Sequence, residues 1–168
     1  MEVTVARPGD IYGPRSQPWV VRPLELMKQR LFVLPDGGRG MLDPTYISNV
    51  VDALFLLLDK RPGGEVFNVT DGLAMEAKEY FSHLADMLGG RFIPTAPAGL
   101  LKALFGAVGA GFRAVGREPP ATPDAVDFLN LPGGYANDKI LALGHEPAVG
   151  LDEGMSNVEA WARGEGLL

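Results

Sequence analysis

Two short apolar runs constrain the fold of this chain more than any other feature: "VTVAR" at residues 3–7 and "EVFNV" at residues 65–69. Both are rich in β-branched or aromatic residues, and the first stops at Pro8-Gly9, so each predicts a buried strand. A helical pattern lies between them, and a crossover of a dozen or more residues joins parallel strands rather than a hairpin. The sequence therefore predicts an α/β fold with a parallel sheet.

Two strands are too few for such a sheet, because parallel sheets are covered on both faces and usually contain more strands. We therefore expect a partial structure, in which the strands at 3–7 and 65–69 belong to a larger sheet. The missing neighbours should leave an unpaired strand edge at residues 3–7 and apolar surface both beside it and on the apolar helix that follows Asn49. We expect this surface to be covered by association.

The remaining pattern is mostly helical. Ser48 or Asn49 can cap a helix that runs to about Lys60, and its run "VVDALFLLLD" is apolar on nearly all sides, which predicts burial inside the complete fold. An apolar face at 76–88 and another from Leu151 predict two more helices, and Asp152 and Glu153 suit the first turn of the last one. Shorter elements are expected as a helix at 22–30, a strand at 31–34 and an extended segment at 45–47.

Composition excludes several classes of function. Fifteen Lys and Arg against 21 Asp and Glu give a net charge of -6, which argues against nucleic-acid binding. The absence of cysteine excludes disulfides, thiolate nucleophiles and cysteine metal sites, and the two histidines, His83 and His145, do not form a metal-ligand pattern. No signal peptide precedes "VTVAR", so a cytoplasmic location is expected.

The stretch "VARPGDIYGP" at residues 5–14 resembles the extended short-chain dehydrogenase/reductase superfamily, also known as NAD-dependent epimerases/dehydratases. The resemblance continues in order through four further segments that together reach residue 168: "TYISNVVDALFLLL", "GGEVFNVTDG", "YANDKILALGHEP" and "LDEGMSNVEAWARGEGLL". Tyr46-Ile-Ser-Asn49 and the segment "GREPPATPDAVDFL" (116–129) are most similar to the 3β-hydroxysteroid dehydrogenase-like branch.

The resemblance implies the C-terminal part of a Rossmann-type parallel sheet, whose last strands lie at about 3–7 and 65–69, and a mostly helical substrate-binding subdomain. Residues 1–168 would form one partial domain, with the substrate subdomain mainly at 19–48 and 90–168. The family's glycine-rich cofactor loop and its catalytic Ser/Thr and Tyr/Lys precede the Arg-Pro-Gly strand, so we expect the cofactor-binding half to be absent and no catalytic residue to be present. NAD or NADP would bind the intact enzyme, not this chain alone.

In the family, the segment after the Arg-Pro strand covers the nicotinamide ring, and this role falls on Pro8, Gly9, Asp10 and Ile11. Glycine allows the backbone to approach a flat ring closely and proline fixes φ, although both residues equally suit a structural turn. The resemblance also implies that three further residues face the substrate: Arg15, Trp19 and Arg39. The family usually has Gly and Asp after Gly-Pro, where this chain has Arg15-Ser16, so the local contacts differ.

Two motifs imitate cofactor chemistry. Tyr135-x-x-x-Lys139 has the spacing of the family's catalytic pair but follows the Arg-Pro strand instead of preceding it, so we interpret it as coincidence. The glycines of "FGAVGAGFRAVG" (105–116) follow a helical pattern rather than a strand, which argues against a dinucleotide loop. Residues 98–115 are apolar enough to form, in order of preference, a lid or wall of the substrate pocket, a core helix or an interfacial membrane helix.

Two hypotheses of function follow. In the first, the chain is the substrate-side half of an NAD(P)-dependent oxidoreductase or epimerase acting on a secondary alcohol or ketone of a sterol-like or nucleotide-sugar substrate, and is inactive alone. In the second, it is a non-catalytic module that binds a small ligand or a partner chain. The partner would be the N-terminal half or a second copy, paired through the strand edge at residues 3–7.

Overall fold

The computed structural model describes residues 2–114, 116 and 122–168. Its strands are short: β1 (Val5–Pro8), β2 (Asp10–Tyr12), β3 (Leu34–Pro35), β4 (Met41–Leu42), β5 (Pro44–Tyr46), β6 (Val66–Val69), β7 (Met75–Glu76) and β8 (Thr95–Ala96). Its helices are α1 (Arg22–Lys28), α2 (Ile47–Lys60), α3 (Ala77–Met87), α4 (Ala98–Ala114), α5 (Pro123–Phe128), α6 (Asp138–Ala142) and α7 (Leu151–Gly164). A π-helical turn, Gln17–Val21, leads into α1, and a 3-10 turn, Asp36–Gly38, follows β3.

The strands pair two by two. β1 runs parallel to β6, with Val5 opposite Val66 and Pro8 opposite Val69, which confirms the parallel α/β prediction. The pairs β2–β5 and β3–β8 are also parallel, whereas β4–β7 is antiparallel. The strand predicted at 31–34 is reduced to β3 at its end, because only Leu34 and Pro35 reach a partner strand.

Strand β1 is not buried, contrary to the prediction for "VTVAR". Val5, Arg7 and Pro8 are exposed, because β1 pairs among the described residues with β6 alone. β6 behaves differently: Phe67 and Val69 are buried against α2. Neither strand of this two-stranded sheet has a second strand partner among the described residues; α6 contacts β6, whereas the outer edge of β1 is open.

Helix α2 begins at Ile47, and its N-cap is Tyr46, which makes no side-chain cap bond. The prediction of a Ser48 or Asn49 cap is therefore wrong; the Asn49 side chain is buried and bonds to residues 148–149 instead.

One face of α2, formed by Val50, Ala53 and Leu57, packs on β6. The apolar side chains on its other side are exposed by 40–69%. This confirms the prediction that the missing half leaves apolar surface on this helix. The helix is not buried on all sides in this chain. We call its exposed apolar side the α2 stripe: Ile47, Val51, Leu54, Phe55 and Leu58.

The main core lies where α1, α3 and α7 meet β2, β3 and β5. The predicted apolar face of α3 is confirmed, with Ala77, Tyr80, Phe81 and Leu84 buried. On α7, Met155 and Val158 are buried. This core places β2, with its candidate site residues, against the inner side of α7.

Helix α4 packs on α5 and is fixed at its start by Asp36, whose carboxylate accepts the N–H of Ala98 at 2.9 Å. Leu101 is buried, whereas Leu100, Leu104 and Val108 are exposed by 62%, 52% and 38%, so α4 is buried on only part of its surface in this chain. Among the described residues, no helix is long and apolar enough to cross a membrane. Residues 117–121, which carry part of the "GREPPATPDAVDFL" resemblance, lie outside the described residues.

Candidate functional site

The segment predicted to cover a nicotinamide ring is built into the chain through a buried pair of acids. The N–H of Asp10 donates to the carbonyl of Asp43 at 2.8 Å, and the N–H of Asp43 donates to Asp10 Oδ2, also at 2.8 Å. Parallel pairing of β2 with β5, with Asp10 opposite Pro44, creates this reciprocal contact. Both side chains are buried.

A third segment closes over the second acid. Asp43 Oδ2 accepts the N–H of Tyr135 at 3.1 Å, and a Cβ at Gly134 would lie 2.9 Å from Asp43 Oδ1. Thr45 Oγ1 donates to the Asp43 carbonyl at 3.0 Å. The Asp10–Asp43 pair therefore joins β2, the start of β5 and the loop at 134–135.

This environment changes the acidity of both groups. Burial raises the pKa of Asp10 to about 6; the N–H of Asp43 opposes this shift and the Asp43 charge adds to it. Burial also raises the pKa of Asp43, against the hydrogen bond from Tyr135. A buried carboxyl that titrates near neutral pH marks a candidate functional site.

Gly9 is required by the chain itself. A Cβ at this position would lie 2.6 Å from the carbonyl oxygen of Asp43 and 2.8 Å from Thr45 Oγ1. The N–H groups of Gly9 and Asp10 are both used internally, the first donating to Val69 at 3.0 Å. A hydrogen bond from these two backbones to a nicotinamide would therefore use their carbonyl oxygens, which can accept from the –NH₂ of the carboxamide. Pro8 is exposed and Ile11 half-buried, so both remain available for contact.

The three predicted substrate residues are placed differently. Arg15 is exposed in a left-handed conformation with φ 67°, directly after the Gly-Pro. Trp19 is half-buried, stacked on Phe81 with ring centroids 6.3 Å apart, and its carbonyl accepts the Tyr80 hydroxyl at 3.0 Å. Arg39 is exposed and donates from Nε to Asp36 in its own turn; no hydrogen bond among the described residues joins it to residues 8–11. Their roles remain predictions.

A second buried polar cluster surrounds Asp71. Asp71 Oδ2 accepts the N–H of Tyr46 at 2.8 Å, and burial raises the pKa of this acid. Burial lowers the pKa of His145, against the Asp71 charge. Tyr12 Oη, Asp71 Oδ1 and His145 Nε2 are buried without a hydrogen-bond partner among the described residues. Buried polar atoms of this kind are commonly satisfied by ordered water.

Sequence reasoning did not identify Asp43, Asp71 or the role of Asn49. Asp43 directly precedes β5 and Asp71 lies two residues after the end of β6, and no local pattern in the sequence marks either position. Among the described residues, no three acidic or histidine side chains are grouped to hold a metal ion.

Tyr135 and Lys139, which have the spacing of the family's catalytic pair, do not share a helical turn. Helix α6 begins at Asp138, so Tyr135 lies in the preceding loop and is exposed by 52%. The Lys139 ammonium is paired with Glu65, donates to the carbonyl of Val66 at 2.9 Å and lies 4.6 Å from the Phe67 ring centroid. These contacts fasten α6 to β6 and supply a structural reason for the lysine.

Two curated proteins are similar in sequence. The uncharacterized protein YbjS of Escherichia coli K12 is 31% identical over 174 residues, covering 98% of this chain and 51% of that protein. The 4-hydroxy-2-methyl-3-oxo-4-farnesyl-3,4-dihydroquinoline-1-oxide ketoreductase of Stigmatella aurantiaca is 28% identical over 85 residues, covering 51% of this chain and 25% of the ketoreductase. The chain thus spans about half the length of one curated relative and a quarter of the other. No family model matches it.

Solved structures share the fold. The UDP-glucose 4-epimerase of Thermotoga maritima matches with a TM-score of 0.69 at 21% identity, over 98% of this chain and 47% of the epimerase. A UDP-glucuronic acid 4-epimerase from Bacillus cereus, solved with NAD, gives 0.65 at 17% identity, over 98% and 46%. The dTDP-glucose 4,6-dehydratase DesIV of Streptomyces venezuelae, solved with NAD, gives 0.69 at 17% identity, over 100% and 47%. In fold, this chain resembles the C-terminal half of an extended short-chain dehydrogenase/reductase of the NAD-dependent epimerase/dehydratase superfamily.

Proposed function

We propose that this chain is the substrate-side half of an NAD(P)-dependent oxidoreductase or epimerase that acts on a secondary alcohol or ketone. The observation that carries this proposal is the open edge of β1 in the parallel pair β1–β6, together with the exposed α2 stripe, in a chain that shares its fold with about half of a UDP-glucose 4-epimerase. An open parallel edge and an apolar helix face are both surfaces that folded proteins cover. Hydride chemistry would belong to the cofactor, while the chain supplies binding and orientation.

In this proposal, residues 8–11 contact the nicotinamide through backbone acceptors, and the chain provides no catalytic acid or base. Arg15 and Arg39 are exposed guanidiniums that would pair with a diphosphate, which supports a nucleotide-sugar substrate. The exposed apolar residues of α4 instead support a sterol-like substrate under an apolar lid. The two substrate classes are distinguished by adding a nucleotide sugar or a sterol to the complete enzyme and measuring oxidation or reduction of the nicotinamide cofactor; the class that supports turnover is the substrate class.

The partner in this proposal is a cofactor-binding half that covers the open edge of β1 and the α2 stripe. A surrogate partner is the portion of the Escherichia coli protein YbjS that this chain does not match. The two pieces are co-expressed, purified together and titrated with NADH and NADPH while nicotinamide fluorescence is recorded. We expect micromolar, saturable binding by the complex and none by the chain alone.

Saturable micromolar binding by the chain alone would contradict the proposal, because the chain would then build a cofactor site unaided. Tyr135 and Lys139 would in that case have to be tested by substitution. A second candidate, a non-catalytic module that binds a partner chain, is favoured by the same open edge of β1. A stable complex with the surrogate partner that binds neither cofactor would favour the module.

A further inference from the structure

A cavity of about 410 Å³ lies between the end of α1 and the segment that leads into β8, remote in sequence from residues 8–15. Its volume falls within the range of small-molecule sites. The cavity shares no residue with the candidate site, and it is lined by Met27, Arg30, Phe32, Arg91, Phe92, Ile93 and Pro94.

Two arginines face this cavity from adjacent segments. β3 pairs with β8 in parallel, Leu34 opposite Thr95, and the N–H of Leu34 donates to the carbonyl of Pro94 at 3.0 Å. Because the segments that precede β3 and β8 lie side by side, Arg30 and Arg91 line the same cavity. Both are exposed, and the hydrogen bonds and ion pairs of the described residues include neither guanidinium.

The charge around the cavity is opposite to that of the whole chain. The net charge is -6, yet no acidic residue lines this cavity. Both arginines line a cavity that has no acidic residue in its lining, so an anion bound there would be attracted to both guanidiniums. Carboxylates and phosphates match the planar donor geometry of arginine.

The rest of the cavity is apolar. Met27, Phe32 and Ile93 form a floor that is 5–9% exposed, and Phe92 stands at the rim, exposed by 88%. Because Phe92 also lines the cavity, an apolar ligand lying on this floor would contact its ring as well. The cavity therefore combines an anion-binding end with an apolar bed.

Arg30 also has a structural role that must be separated from binding. It follows α1 in a left-handed conformation, with φ 59°, where glycine is the usual residue. A cation at the C-terminal end of a helix interacts favourably with the helix dipole. This accounts for a cation at Arg30 but not for Arg91 or for the apolar floor.

We propose that this cavity binds an amphiphilic anion, with a carboxylate or phosphate between Arg30 and Arg91 and an apolar body over Met27, Phe32 and Ile93. A soluble acyl anion and a membrane lipid share this chemistry. This proposal goes beyond the proposed dehydrogenase function. The lining residues lie within the segments expected to form the substrate subdomain (19–48 and 90–168), but none of them is a residue named above for cofactor or substrate contact.

The test is isothermal titration of the full chain with octanoate, with 1-octanol as the uncharged ligand of equal length. Octanoate binds saturably and at least tenfold more tightly than octanol. The double variant Arg30→Gln/Arg91→Gln weakens octanoate binding at least tenfold, whereas Arg22→Gln, an exposed arginine at the other end of α1, leaves it unchanged. Circular dichroism verifies that all variants are folded.

Equal binding of octanol and octanoate, or an unchanged affinity in the double variant, would overturn the proposal. Sedimentation with phosphatidylglycerol vesicles separates the two sources of the ligand. Vesicle binding that depends on both arginines, without octanoate binding, assigns the site to a lipid headgroup. Failure to bind either probe rejects the site.

Discussion

Gly154 of α7 packs directly against the phenol of Tyr12, and a Cβ at this position would overlap the Tyr12 hydroxyl oxygen. The same Cβ would lie 2.9 Å from Tyr12 Cζ and 3.0 Å from the ring of Tyr46. The Tyr12 ring in turn contacts Tyr46 and Tyr80, with centroids 5.3 and 5.9 Å apart. The last helix therefore holds β2, the strand that carries Asp10, through a contact that only glycine permits.

Gly154→Ala should lower the free energy of unfolding by about 1–2 kcal/mol. Alanine normally stabilises a helix by about 1 kcal/mol relative to glycine, but overpacking a buried site costs about 1–3 kcal/mol and dominates here. Gly164→Ala, in the last turn of the same helix, is the control, because no atom lies within 4 Å of its added Cβ. Urea unfolding measures both. Equal stability of the two variants would contradict the packing argument.

Tyr12→Phe should be neutral or stabilising, although Tyr12 is only 1% exposed. Its hydroxyl has no hydrogen-bond partner among the described residues, and burial is the main reason that its pKa is raised. Removing an unsatisfied buried hydroxyl removes a desolvation cost of about 1–3 kcal/mol. In the Gly154→Ala background the same change should recover part of the lost stability. A loss above about 1 kcal/mol on Tyr12→Phe alone would show that an ordered water satisfies the hydroxyl.

Asp10 should make the chain less stable as the pH rises from about 4 to about 7. Its pKa is about 6 in the folded chain against an ordinary 3.8, so the folded state holds the proton more tightly. The free energy of unfolding therefore falls as Asp10 ionises, by at most about 3 kcal/mol. Asp10→Asn keeps an acceptor for the Asp43 N–H and removes this dependence.

Urea unfolding at pH 5 and pH 8 tests the assignment to Asp10. The free energy of unfolding of Asp10→Asn should exceed that of the parent chain by more at pH 8 than at pH 5. Asp59→Asn, at an exposed position of α2, should change stability little at either pH. An Asp10→Asn advantage that is constant between the two pH values would reject the assignment.

The sequence predicts the elements whose signal is local. The β-branched runs identify β1 and β6, and the spacing of Tyr80, Phe81 and Leu84 identifies α3, because one buried face repeats along the chain. Strands of two or three residues, such as β4 and β7, carry too few positions for any period to show. Their existence depends on the partner strand.

The candidate site shows the same limit. Residues 8–11 can be predicted because the motif that resembles the family, "VARPGDIYGP", is one continuous stretch of sequence. The contact between Asp10 and Asp43 depends on the register of β2 with β5, which no local pattern specifies. Asn49 satisfies a capping rule in the sequence, yet its side chain bonds across about a hundred residues, and tertiary packing decides its role.

Asn49→Ala should destabilise the chain by about 2–4 kcal/mol. The side chain is fully buried, accepts the N–H groups of Ala148 and Val149 at 3.1 Å, and donates to the Val149 carbonyl at 2.8 Å. Truncation leaves these buried groups unpaired, at about 1–3 kcal/mol for each unsatisfied group. Asn68→Ala, which removes a single exposed bond to Ala136, should cost less than about 1 kcal/mol. Similar losses in the two variants would show that the 148–149 segment does not depend on Asn49.

The α2 stripe should drive association of this chain when no partner half is present. Phe55 and Leu58 are exposed by 66% and 69%, and removing large apolar side chains from water is the main favourable contribution to most association. Phe55→Ser/Leu58→Ser should therefore shift the chain toward monomer and raise the dissociation constant of self-association about tenfold or more, as measured by sedimentation velocity over a concentration series. The matched control is Leu100→Ser/Leu104→Ser on α4, which removes two leucines exposed by 62% and 52%. An equal shift in both double variants would mean that association follows general surface hydrophobicity. A shift confined to Phe55→Ser/Leu58→Ser would locate the docking surface on the α2 stripe.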